Sequence, residues 1–116
     1  MAWVRLRRFP LYEVNERGQV RRAAPGKGAT RGKILKPSLR GARGALRLKV
    51  IVYEGEGWDS RHYAAVHRLV AEAFHGPAPA GKPYAILRDG DPFNVTAANL
   101  FWGDAVDAAA ARDARR

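Results

Sequence analysis

Four carboxylate or amide side chains fall within one short stretch: Asp89 and Asp91 on either side of Gly90, then Asn94 and Asn99. Carboxylate and amide oxygens are what a hard divalent cation binds, and an imidazole is the usual proton acceptor beside such an ion. The imidazoles lie upstream, at His62, His67 and His75, and no histidine follows His75. Neither interval between them is a metal-ligand spacing on a helix. Asp-Gly-Asp is also a turn signature, so Asp89 and Asp91 are expected first of all to shape a turn. His67 is expected to pack or to hydrogen-bond.

The elements that would position these groups are legible from periodicity. An apolar run at 84–87 leads into the turn at 89–91. A loop carries Asn94, and a short helix around 97–99 leads into Leu100-Phe101-Trp102. Upstream, Val66, Leu69, Val70, Ala73 and Phe74 follow the i, i+3, i+4, i+7, i+8 rule, which predicts a core helix ended by the Gly76-Pro77 breaker. Residues 45–53 alternate, with Leu46, Leu48, Val50 and Val52 on one face and Arg47, Lys49, Ile51 and Tyr53 on the other. A turn at 54–57 should return the chain as a partner strand over 58–65. Nearer the start, 11–14 and 19–22 read as a hairpin whose turn, Asn15-Glu-Arg-Gly18, needs the freedom of Gly18. The Gly, Pro and basic residues of 23–31 predict a mobile loop. Asp104 and Asp107, three apart, predict an acidic N-cap for a C-terminal helix.

Charge is distributed unevenly along the chain. Of the net +10, residues 1–50 contribute +12 (14 Lys/Arg against Glu13 and Glu16), and residues 51–116 contribute −2 (seven against nine). A one-sided positive field suits a polyanion, because neutralising phosphates releases condensed counterions. Cysteine is absent, which excludes disulfides and thiolate metal sites. No apolar run approaches a membrane span and no signal-peptide layout opens the chain, so a cytoplasmic protein with no membrane partner is expected.

Two segments resemble known patterns. Trp3, Phe9, Pro10, Tyr12, Glu13, Val14, Gly18, Val20 and Arg21, and then Leu35-Lys36-Pro37, match the small NUMOD-like DNA-binding module that precedes the core of phage-type HNH homing endonucleases. The helix Val66-His-Arg-Leu-Val-Ala-Glu-Ala-Phe74, and the run from Tyr84 through Asp89-Gly90-Asp91 to Asn99-Leu100-Phe101-Trp102, resemble the HNH ββα-metal core itself. The resemblance implies an α+β fold: an antiparallel N-terminal β-sheet module over 1–57, then a helix and an HNH-like ββα core with a C-terminal helix over 58–116. It also implies where reactive residues would stand. The ligand Asp falls on Ile86, the base His on Leu87, the central Asn on Asn99 and the closing ligand on Ala108, so three of four positions carry hydrocarbon.

The expected function is therefore that of a degenerate HNH homing endonuclease: sequence-specific binding of double-stranded DNA without cleavage, metal or cofactor. The expected task is transcription regulation of phage or bacterial genes, as a homodimer or with a partner in the transcription machinery. Arg21, Arg22, Lys33, Lys36, Arg40, Arg43, Arg47 and Lys49 are the expected DNA surface. Two rivals stand beside this reading. One is an active metal-dependent endonuclease with a site relocated to Asp89, Asp91, Asn94 or His67, and the other is a basic RNA-binding protein.

Overall fold

A computed structural model describes residues 2–25, 30–43, 45–54 and 60–115, with side chains described through residue 111. Two three-stranded antiparallel sheets and a two-stranded one are joined by two helices, which is the α+β class expected. The first sheet comprises β1 (Trp3–Arg5), β2 (Tyr12–Asn15) and β3 (Val20–Arg22), in chain order. The second comprises β4 (Ser38–Arg40), β5 (Arg47–Tyr53) and β6 (Arg61–Ala65). Helix α1 (Val66–His75) follows β6 directly. The third sheet pairs β7 (Tyr84–Leu87) with β8 (Leu100–Gly103), a 3-10 helix (Ala97–Asn99) leads into β8, and α2 (Ala105–Arg115) closes the chain.

The predicted hairpin forms where Asn15 and Gly18 require it. Asn15 is fully buried, and its Oδ1 accepts the amides of Arg17 and Gln19, closing the turn. Gly18 has φ +88, the left-handed region that a side chain resists.

One cluster of buried hydrophobics runs through the three sheets and α1. Phe9, Tyr12, Val14 and Val20 meet Val50, Val52, Val66, Leu69 and Val70, and the cluster continues to Leu87, Val95 and Leu100. The apolar face expected of 45–53 is buried at Val50 and Val52, while Ile51 on the other face is 37% exposed. Helix α1 buries Val66, Leu69 and Val70 as its periodicity requires, and Ala71 as well. The turn expected at 54–57 and the start of its return strand fall largely on residues 55–59, outside the described residues, as does the boundary drawn between 57 and 58. Residues 26–29 of the loop expected to be mobile lie outside them too. The loop's root is fixed, since the amide of Ala23 donates to the Leu11 carbonyl and Gly32 to that of Arg22.

Candidate nucleic-acid interface

Strand alternation decides where the chemistry-bearing positions of the C-terminal half point. Residues directly opposite in an antiparallel pair share a face. The register pairs Leu87 with Leu100 and Ala85 with Trp102 on one face, and Ile86 with Phe101 and Tyr84 with Gly103 on the other. Leu87, 3% exposed, joins the core beneath α1. Ile86 lies on the opposite side, beneath the start of α2. There a Cβ added to Gly103 would sit 2.5 Å from Ile86 Cδ1 and 2.8 Å from Asp107 Cβ. Ile86 and Leu87 therefore do not line a common cleft, and Ile86 fills close-packed space. Ala108 is half-buried in the first turns of α2, its amide donating to Asp104.

Asn99 belongs to a different structure, a hydrogen-bonded turn. Its Nδ2 donates to Asp89 Oδ1 (2.9 Å) and to the Asn94 carbonyl (2.8 Å), and its Oδ1 accepts the Asp89 amide. Asn94 Nδ2 donates to Asp89 Oδ2 at 2.8 Å, and Asp89 Oδ1 also accepts the Asp91 amide. Gly90, at φ +72, lets the chain reverse inside this ring of bonds. The two Asp89 carboxylate oxygens are thus engaged in holding the turn. The side chains at 86, 87 and 108 carry no lone pair for a cation, and no group of three or more His, Asp or Glu that could hold a metal ion occurs among the described residues. A divalent ion ligated as the resemblance implies does not fit these residues.

The helix behind the turn is capped as the sequence predicts. The Asp104 amide donates to Asp107 Oδ2 and the Asp107 amide to Asp104 Oδ1, both at 3.0 Å, a reciprocal capping box. The Asp107 amide, first among the causes, holds the Asp104 carboxyl below its ordinary range.

The cations gather elsewhere. Register places Ser38 and Arg40 of β4, Arg47, Lys49, Ile51 and Tyr53 of β5, and Arg61, Tyr63 and Ala65 of β6 on one face of the second sheet. No carboxylate shares that face among the described residues. Arg40 Cζ lies 4.5 Å from the Tyr63 ring centroid and Arg61 Cζ 5.8 Å. Tyr63 and Ile51, paired directly across β5 and β6, are 45% and 37% exposed. Beside this sheet, His67 is pushed down to about 4, chiefly by burial and then by the charges of Arg47, Arg68 and Lys49. Its Nδ1 is buried with no hydrogen-bond partner.

Of the eight cations expected to form the surface, Arg40, Arg47 and Lys49 share this face. Lys33, Lys36 and Arg43 are exposed in the segments flanking β4. Arg21 and Arg22 belong to the first sheet and already have partners. Arg21 pairs with Glu13 and lies 3.8 Å from the Trp3 ring centroid, while Arg22 donates to the Ala24 carbonyl and to the Tyr12 hydroxyl. Alternation within 45–53 already places Ile51 on the face of Arg47 and Lys49, but the sequence reading gives Arg61 and Tyr63 no place there. The signal was available in the alternation of 61–65, but it could be read only with the β5–β6 register in hand.

No protein-family profile matches the chain, and no curated protein sequence matches it. Among solved structures, the chain is similar to the HNH homing endonuclease I-HmuI, from a study of DNA binding and cleavage by that enzyme. The TM-score is 0.73 at 24% sequence identity, over 98% of this chain and 60% of that one. The chain thus spans about three fifths of the length of the endonuclease, and what the two share is the fold of an HNH homing endonuclease.

Proposed function

We propose that the protein binds double-stranded DNA through the outer face of β4–β5–β6, and that it does so without cutting. The observation that carries the binding reading is that Arg40, Arg47, Lys49 and Arg61 share one sheet face. Such a face attracts phosphates and repels basic partners. The likeness in fold to an endonuclease studied for DNA binding supports duplex DNA over RNA. On this reading the β-rich segment up to residue 57 is the NUMOD-like module, and Lys33, Lys36 and Arg43 extend its contact with phosphates. The non-catalytic reading rests on Ile86, Leu87 and Ala108, which can neither accept a proton nor ligate a hard cation. A regulatory role follows from binding without damage.

The test is anisotropy titration of a random-sequence duplex against structured RNA at fixed salt. Duplex is expected to win, and the Arg40→Ala/Arg47→Ala/Lys49→Ala variant is expected to lose tenfold or more in affinity. Its slope of log affinity against log salt should flatten by roughly three, about one for each phosphate no longer neutralised. Preference for RNA would overturn the reading.

A retained nuclease is the competing function, favoured by the clustering of Asp89, Asn94 and Asn99 in one turn. Plasmid nicking with Mg²⁺ or Mn²⁺ decides it. Metal-dependent cuts lost in Asp89→Ala would establish the relocated site, and an intact plasmid at high protein concentration is the outcome expected.

A further inference from the structure

Within the basic sheet face, the Arg40 side chain is held at two points. Arg40 Nε donates to Ser38 Oγ at 3.0 Å, two residues back on the same strand. Its guanidinium also lies over the Tyr63 ring, two strands away, at 4.5 Å from the centroid. The backbone beneath is fixed by pairing with Arg47. A guanidinium anchored through Nε and stacked on a ring has given up most of its rotational freedom, and the edge formed by its two Nη groups is left to meet a planar pair of acceptors. Arg40 is nevertheless exposed. A cation that needs only to neutralise a phosphate gains little from such restraint, since phosphate oxygens accept from many directions. A reader of a base edge gains, because two acceptors in one plane must be met at once.

We propose that Arg40 is a specificity-determining residue of this face, reading the O6/N7 edge of a guanine in the major groove, with Ser38 and Tyr63 as its positioning residues. The proposal rests on the DNA-binding reading above and adds to it which cation touches a base. A β-ribbon fits the major groove, and β4 is an edge strand of the three-stranded sheet, so it can enter the groove with β5 beside it. The exposed Ile51 lies on the same face, where it can meet a thymine methyl rather than water.

The experiment is selection from a pool of random-sequence duplexes by the full chain, followed by titration of the recovered duplex and of variants with one base pair changed. The wild type should recover a consensus containing a G·C pair whose replacement by A·T weakens binding about tenfold. Arg40→Lys, which keeps the charge and loses the fork, should lose that discrimination, its affinity falling further on the selected duplex than on a random one. Tyr63→Leu should lose most of it, and Tyr63→Phe, which keeps the ring, should retain it. Three results would overturn the inference while leaving duplex binding intact: a wild-type protein that recovers no consensus, an unchanged guanine preference in Arg40→Lys, or an Arg40→Lys loss equal on all sequences. Lys33→Ala is the comparison for that last pattern, being expected to weaken all duplexes alike. Failure of the wild type to bind any duplex would instead sink the function proposed above.

Discussion

Gly18 and Val95 touch across the junction between the N-terminal hairpin and the loop that leads into the 3-10 helix. A Cβ on Gly18 would lie 2.4 Å from Val95 Cγ2 and 2.8 Å from the Val95 carbonyl oxygen, and nearby the Ala97 amide donates to the Glu16 carbonyl at 2.8 Å. The hairpin turn is thereby locked against the segment that carries Asn94 and Asn99. Gly18→Ala meets both a φ of +88 and this contact. It should lower stability by about 2 kcal/mol or more, read as a shift in the urea midpoint. A neutral result would show that the hairpin and the loop do not bear on each other.

Asn99 is 9% exposed and holds Asp89 and the Asn94 carbonyl together. Asn99→Ala leaves the Asp89 amide and the Asn94 carbonyl without that partner, at a cost of about 2 to 4 kcal/mol in stability. At a temperature where the variant is folded, duplex affinity should fall less than twofold, because the basic sheet face is a separate structure. An affinity loss in the folded variant comparable to that of the triple basic substitution would place the DNA surface at the turn instead.

His67 makes stability depend on pH. Its folded value of about 4 lies below the 6.5 of the unfolded chain, so between those values the unfolded state holds the extra proton. Stability from this group is complete above about pH 6.5, declines as pH falls, and stops declining near pH 4. The loss amounts to on the order of 2 to 3 kcal/mol across the window. Chemical denaturation from pH 4 to 7 should show this slope, and His67→Gln should flatten it. An equal slope in the variant would assign the dependence to other groups.

Asp104 makes stability depend on pH in the same direction, at lower pH. Asp104 is held below its ordinary value first by the Asp107 amide, so its contribution is present above about pH 4 and is lost as the pH falls below that. Far-UV circular dichroism should show α2 helicity dropping there, and Asp104→Asn, which can still cap, should weaken the dependence. Helicity unchanged down to pH 2 would remove the role assigned to this carboxylate.

Leu87→His is expected to leave plasmid DNA uncut. The new imidazole would enter the apolar core under α1, on the far side of the sheet from Ile86, and should destabilise the fold by about 2 to 4 kcal/mol. Robust nicking by this single variant would show that positions 86 and 108 are not where a metal must sit.

The sequence alone determined the local elements. Alternation in 45–53, the helical stripe from Val66 to Phe74, the Asn15–Gly18 turn and the paired Asp104 and Asp107 each carry their own physical signal within a few residues, and all four formed. The resemblance of residues 3–21, 66–74 and 84–102 to HNH homing endonucleases agrees with the fold that the structure shares with one. The tertiary structure decided which charges act together. Arg21 and Arg22 look no different from Arg40 and Arg47 along the chain, but strand register turned the first pair toward Glu13 and Tyr12, while it placed the second pair on one face with Arg61 and Tyr63. It also decided what covers each face of β7, so that Leu87 enters the core beneath α1 and Ile86 packs beneath the start of α2. Register is set by long-range packing and by the turns that join strands, so no local window contains it.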